Sequence, residues 1–263
     1  MTIASKPALP VYVLQYGDVG QVVRQLQAKL GLKPDGRFGQ LTEGKVRQFQ
    51  ADKGLTVDGK AGPRTLGALG ISVQLGMDVS HHQERINWGE VPAAMAWVAV
   101  KTTEGTTYVD PRAQENLDGA RLQPGRQVLA YHFARPRNNP AAEAQHAARH
   151  CRGARLVLDL ESTGDRKPAE LCEWAQACLL EAEHLTGQRP ALYTGAGFVR
   201  YQLDGGKPLA GWDLWLARYP GRRLADPGNL GEWPTWWVWQ WSCDGKVPGV
   251  ARSVDLNWIP TRG

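Results

Sequence analysis

Apolar and charged positions alternate in "RLVLDLES", residues 155–162. As an extended strand this stretch puts Leu156, Leu158 and Leu160 on one face and Val157, Asp159 and Glu161 on the other. The leucines demand cover from a helix, so the two acids point inward. Comparable short runs recur from Gly76 onward: LGMDVSHH, AWVAVKTTEG, QVLAYHFARP, ARLVLDLES, RPALYTG, DLWLARY, WWVWQWS and SVDLNWI. Segments of helical character separate the first five, clearest in "PAAEAQHAARH" and "PAELCEWAQACLLEAEHLTG". The later gaps are rich in Gly, Pro and Trp and carry no comparable helix. This alternation predicts an α/β fold: a parallel sheet closed into an irregular TIM-like (β/α)5β3 barrel that loses regularity after its fifth strand. In "WWVWQW" the same alternation sets Trp237, Trp239 and Trp241 on one face and Trp236, Val238 and Gln240 on the other.

Before residue 71 the period is helical. Val19, Val22, Val23, Leu26 and Leu30 fall at helix spacing, as do Leu41 or Thr42 with Val46 and Phe49, and Leu66 with Leu69. Three short helices are predicted. Asp35-Gly36-Arg37-Phe38-Gly39-x-x-Thr42 returns 23 residues later as Asp58-Gly59-Lys60-Ala61-Gly62-x-x-Thr65, an internal duplication built on Asp-Gly turns, with a Thr placed to cap or open a helix. The chain divides into a small all-α three-helix domain (residues 1–70), a linker (71–75) and a barrel (76–263).

Charge and aromatic content sharpen that division. Residues 1–75 hold ten Lys and Arg against five Asp and Glu, whereas residues 76–263 hold 21 of each, so the whole excess of +5 lies in the first domain. All eleven tryptophans lie in the second, beginning at Trp88. The basic residues are scattered, without a nucleic-acid motif among them, so nucleic acid is not the expected partner. No run of eighteen apolar residues exists, and "MTIASKPALPVYVLQYG" has neither a basic leader nor a continuous apolar segment, so neither a membrane span nor a signal peptide is expected. Cys151, Cys172, Cys178 and Cys243 form no CxxC pair and read as free thiols.

The chemistry concentrates where strands end. Asp159 and Glu161 lie at the end of their run, at the rim where barrels build sites. Two carboxyls so close cannot both ionise freely, so one is pushed toward a raised pKa and can act as an acid near neutral pH. Ion pairs with Arg155 or Arg166 are the competing explanation. Asp78, Glu104, Tyr131, His132, Tyr193, Trp215, Gln240 and Asp255 fall at or near the other strand ends and converge on the same rim. Lys101 and Glu104 fit an ion pair or a substrate contact equally. His146 and His150 are four apart, as in zinc motifs, but lack the intervening glutamate, and a solvated or helix-capping role is expected. His81 and His82 are expected to hydrogen-bond around the rim. Metal and cofactor are not expected.

Two resemblances extend this reading. "GDVGQVVRQLQAKLGL", "DGRFGQLTEGKVRQFQ" and "LTVDGKAGPRTLGALG" resemble the small peptidoglycan-binding domain found beside cell-wall hydrolases, which implies a wall anchor whose positive charge suits an anionic polymer. "GMDVSHHQ", "VAVKTTEG", "LAYHFARP", "LVLDLES", "PALYTG", "LWLARY", "WQWS" and "VDLNWI" resemble the glycoside hydrolase family 25 muramidases over residues 75–260. That resemblance implies Glu161 as general acid with Asp159 as its partner, Asp78 and Asp255 flanking the cleft, and Tyr131, Tyr193, Trp215 and Gln240 lining it. Trp215 is the first candidate for sugar stacking. The implied reaction is hydrolysis of the β-1,4 bond between N-acetylmuramic acid and N-acetylglucosamine. Two residues apart on a strand places α-carbons about 6.6 Å apart. Side-chain rotation then covers both the about 5–5.5 Å separation of retaining sites and the about 6.5–9.5 Å of inverting ones. The resemblance favours a substrate-assisted route in which the N-acetyl carbonyl attacks. The alternatives are a glycan-binding protein without activity and a hydrolase of another N-acetylated glycan such as chitin. A monomer is expected, made in a phage host's cytoplasm and acting on peptidoglycan in the periplasm or cell wall, with a bacterial enzyme exported by another route as the alternative.

Overall fold

The computed structural model describes residues 8–219, 226–228 and 230–260. Residues 1–7, on which part of the expectation about an export leader rests, lie outside these.

Helices α1 (Gln21–Lys29), α2 (Gln40–Asp52) and α3 (Pro63–Ala68) form where the period predicts them. Val22, Val23 and Leu26 are buried on α1, and Thr42 and Val46 on α2, while Val19 and Leu41 are exposed. The duplication is held by residues that an apolar pattern passes over, Gln27 and Gln50, which are 3% and 1% exposed. Gln27 Nε2 lies 2.7 Å from Asp35 Oδ1, 3.0 Å from Arg37 O and 3.1 Å from Thr42 Oγ1, and its Oε1 accepts from the Gly36 N–H at 2.8 Å. Gln50 repeats the arrangement with Asp58, Lys60, Thr65 and Gly59. Thr42 and Thr65 serve these turns rather than cap helices, and the N-caps are Gly39 and Gly62. Replacing Gln50 by Leu leaves the Gly59 N–H and its turn without their buried partner. A loss of about 1–3 kcal/mol in unfolding free energy, measured by denaturant titration of the full chain, is expected.

The barrel comprises β1 (Val73–Val79), β2 (Met95–Glu104), β4 (Gln127–Phe133), β5 (Arg155–Asp159), β6 (Ala191–Gly195), β7 (Asp213–Ala217), β8 (Val238–Gly245) and β9 (Val254–Pro260), with a two-residue strand β3 (Tyr108–Val109) on the edge of β2. The pairing β1–β2 closes the ring, and its eight strands are the eight runs seen in the sequence. Within the ring neighbours are parallel except β9, which is antiparallel to both β1 and β8, and the edge strand β3 is antiparallel to β2, so the sheet is not the wholly parallel one expected. Helices α4 (Ala113–Ala120), α5 (Pro140–His150), α6 (Pro168–Thr186) and α7 (Ala196–Gln202) lie between the strands from β2 to β7. The α-helix after the fifth barrel strand is the last one described, as the (β/α)5β3 expectation has it, whereas the first connection holds only a 3-10 turn, His81–Gln83. Among the described residues no helix follows β7 or β8. Residues 71–75, expected as a linker, are tied down: Ile71 and Leu75 are buried, and Val73 already pairs with Pro260.

Inward residues on successive strands, among them Trp97, Ala99, Val157, Ala191, Trp215 and Val238, fill the barrel's interior. Gly76 makes room for them, because a Cβ there would press into the Trp97 ring. Strand β8 begins only at Val238, so the alternation does not reach back to Trp237. Trp237 packs inside against Trp97, while Trp239 and Trp241 face outward. This corrects the expected grouping of Trp237, Trp239 and Trp241. All four cysteines are free; Cys243 is exposed and the other three are buried.

Candidate active site

The eight residues singled out from the sequence, Asp78, Tyr131, Asp159, Glu161, Tyr193, Trp215, Gln240 and Asp255, line one pocket at the barrel rim. Strand alternation delivers them. Strand β5 ends at Asp159, and the extended chain is carried on by the bond from Leu160 N–H to Tyr193 O (2.9 Å), which keeps Glu161 on the same side as Asp159. Because β9 runs against its neighbours, its beginning, not its end, reaches this rim and brings Asp255 opposite Asp78.

The acids form two pairs. Asp159 is buried, and burial first, then the charge of Glu161, pushes its carboxyl well above the usual range. Burial also raises Glu161, but the hydrogen bond from Asp159 and the nearby Lys101 ammonium pull it back. Both carboxyls of the pair are thus raised, so together they hold a proton above the ordinary carboxylate range. Asp159 Oδ1 is a buried acceptor with no protein partner. The competing ion pairs do not form: Arg155 binds Asp213 at 2.7 Å, and Arg166 Nε donates to Pro136 O at 2.7 Å.

In the second pair Asp78 is raised well above its ordinary value by burial and by Asp255, and Asp255 is raised by burial and lowered by its bond with Asp78. Asp78 Oδ2 accepts from Gln240 Nε2 at 2.9 Å and from Asn257 Nδ2 at 2.8 Å. Asn257 Oδ1 in turn accepts from Trp215 Nε1 at 2.8 Å. Gln240 Oε1 accepts from the hydroxyls of Tyr193, at 2.8 Å, and Tyr219. Asn257 and Tyr219 were not singled out from the sequence. Trp215 is 2% exposed, its ring edge-packed with those of Tyr193 and Trp97 at 4.8 and 4.9 Å, so it is the floor of the cleft rather than an open stacking platform.

Lys101 makes the ion pair weighed for it and also lines the pocket, among the four acids. Its Nζ lies 2.7 Å from Glu104 Oε2 and 4.9 Å from the Phe133 ring centre. Glu104 is also held by Arg135, and these bonds keep it below its ordinary value against the cost of its burial. His132 does not reach the rim. It faces outward, 2.8 Å from both Thr103 Oγ1 and Glu143 Oε2 in a fully buried cluster. His81 Nδ1 lies 2.7 Å from Asp110 Oδ2, and His82 lines the pocket, so this dipeptide belongs to the rim as expected. His146 is buried, not solvated, with Nε2 2.9 Å from Tyr108 O, and His150 Nδ1 lies 2.9 Å from His146 O.

Comparison with known proteins agrees with this geometry. The model of glycosyl hydrolases family 25 matches residues 77–250, and that of a peptidoglycan binding domain matches residues 15–69. Lysozyme M1 of Streptomyces globisporus is 32% identical over 210 residues, covering 74% of this chain and 70% of its own. The N,O-diacetylmuramidase of Chalaropsis is 29% identical over 184 residues, 63% of this chain and 86% of its own. The crystal structure of the lysozyme from Streptomyces coelicolor superposes with a TM-score of 0.65 and 30% identity, over 72% of this chain and 92% of that one.

Proposed function

Because this chain belongs to glycosyl hydrolases family 25 and is a glycoside hydrolase of the lysozyme type, we propose that it cleaves the β-1,4 bond between N-acetylmuramic acid and N-acetylglucosamine in peptidoglycan by a substrate-assisted route. One observation supports the mechanism: Asp159, buried in the pocket lining beside Glu161, belongs to a pair whose carboxyls are both raised above the ordinary range. In this reading the Asp159 carboxyl receives the N–H of an acetamido group as substrate enters the pocket. As the acetamide engages Asp159, the shared proton passes to Glu161, which leaves Asp159 ionised and Glu161 armed as an acid. Glu161 gives its proton to the glycosidic oxygen while the acetamido carbonyl oxygen attacks the anomeric carbon and the C–O bond breaks. Ionised Asp159 stabilises the positive charge on the ring so formed. Glu161, now a carboxylate, takes a proton from water as it opens that ring, and the enzyme returns to its starting state.

Burial raises both Asp78 and Asp255, and the charge of Asp255 raises Asp78 further, so this pair holds a proton more readily than free carboxyls and adds less negative charge around the first pair. The N-terminal module, matched by a peptidoglycan binding domain and basic as suits an anionic polymer, supports wall anchoring, and the finer reading is a phage endolysin that reaches the wall from the host cytoplasm. Purified peptidoglycan digested by the enzyme is expected to yield fragments with N-acetylmuramic acid at the reducing end, and NMR is expected to show the β-anomer forming first. The α-anomer appearing first would exclude the acetamido route, and turnover of chitin oligomers at a comparable rate would exclude the muramidase assignment.

A further inference from the structure

Helices cover the barrel from β2 to β7, but the outer faces of β8 and β9 carry Trp239, Trp241, Leu256 and Trp258, and among the described residues no helix follows β7 or β8 in the chain to cover them. These side chains are nevertheless packed, in one continuous apolar cluster with Tyr12, Leu14, Val22 and Leu26 of the N-terminal module. Tyr12 meets Trp258 edge-on at 5.4 Å, and Trp258 stacks on Trp241 at 5.5 Å.

A polar latch fixes the contact. Asp226, 9% exposed, accepts from the Gln21 N–H at the start of α1 (3.1 Å) and from Trp236 Nε1 (3.1 Å). The Gln21 amide donates to Trp236 O at 3.1 Å and accepts from Trp236 N–H at 3.3 Å and from the Thr235 hydroxyl. A Cβ on Gly20 would collide with Asp226, and its φ of +125° already favours glycine. The same segment reaches the cleft. The Arg218 guanidinium donates to Pro227 O, its N–H donates to Gln240 O at 3.0 Å and its carbonyl accepts from Trp239 Nε1 at 3.0 Å. Tyr219 follows directly and bonds Gln240, which bonds Asp78.

We propose that the N-terminal module is the missing outer layer of the barrel on its β8–β9 side, and that its seat there, latched by Gln21 and Asp226, holds Tyr219 and Gln240 in place, so that wall anchoring and catalysis form one cooperative unit. A module on a free tether would raise only the local concentration of enzyme at the wall. A seated one also positions the cleft. The distinguishing substrate is a soluble muramyl glycan fragment, for which anchoring brings no advantage.

In the full chain, Gln21→Ala is expected to keep its pelleting with purified sacculi and to lower kcat on the soluble fragment by about three- to tenfold, with KM changed less. Amide exchange in residues 236–242 and 254–260 is expected to quicken while β4 and β5 stay protected. The wild type is expected to unfold in a single calorimetric transition, and Gly20→Val, which displaces the module by collision, to lower or split it. Unchanged exchange and unchanged soluble-substrate kcat in a folded Gln21→Ala, or two independent transitions in the wild type, would overturn the proposal. These results are independent of which bond is cut, since any soluble substrate that the wild type turns over serves.

Discussion

Glu161→Gln is expected to lower the rate of peptidoglycan solubilisation by about 10³-fold while leaving the chain folded and able to pellet with sacculi. The size follows from what is removed. Glutamine preserves volume and can still accept the bond from Asp159, but it has no proton to give the leaving sugar and cannot afterwards take one from water. Both chemical steps lose their proton carrier. The loss should appear in kcat, because the group acts on charge that develops only in the transition state, and should spare substrate affinity. Retention of more than about a tenth of wild-type activity would move the acid elsewhere, and Asp255, the more exposed member of the other pair, would be the next candidate. Tm measured beside the rate distinguishes a chemical defect from an unfolded one.

The part of this site visible in the sequence is the part that strand geometry dictates. Leu156, Leu158 and Leu160 require a cover, so Asp159 and Glu161 must face in, and six further candidates follow by the same rule at other strand ends. The rule fails where position depends on tertiary direction. Asp255 is placed with the strand-end residues, but that it reaches the rim from the beginning of an antiparallel strand is not written in "VDLNWI". Asn257, in that same run, lies among apolar neighbours and looks like strand filler until Trp215 and Asp78 are seen on either side of it. Tyr219 follows a strand and owes its place to Gln240. Gln27 and Gln50 look like surface positions on polar helices, although their 23-residue separation, equal to that of the Asp-Gly turns, was a signal open to reading. His132 illustrates the opposite error: it neighbours Tyr131, but adjacent strand residues face opposite ways, and it belongs to the outer core.

Asp159→Asn is expected to abolish measurable lysis, with a loss of about 10²-fold or more, and at the same time to stabilise the protein above the ordinary carboxylate range. The activity loss follows because the amide cannot become the anion that steadies the ring nor deliver a proton to Glu161. The stability gain follows from linkage. In the unfolded chain Asp159 ionises at its ordinary pKa, whereas in the fold burial and Glu161 keep it protonated to much higher pH. Between those two values the folded state binds the extra proton, so wild-type stability falls as pH rises through that window and levels off above it. Asparagine does not titrate, can still donate to Glu161, and escapes the fall. The Tm of Asp159→Asn minus that of the wild type should therefore be near zero at about pH 4 and rise to a few degrees by about pH 8. A difference independent of pH, or one that shrinks as pH rises, would mean that Asp159 is ionised in the unliganded fold. The proton shared with Glu161 would then have to come from another group. An increase confined to high pH, together with the lost activity, identifies a residue kept at a cost in stability because the reaction needs its proton.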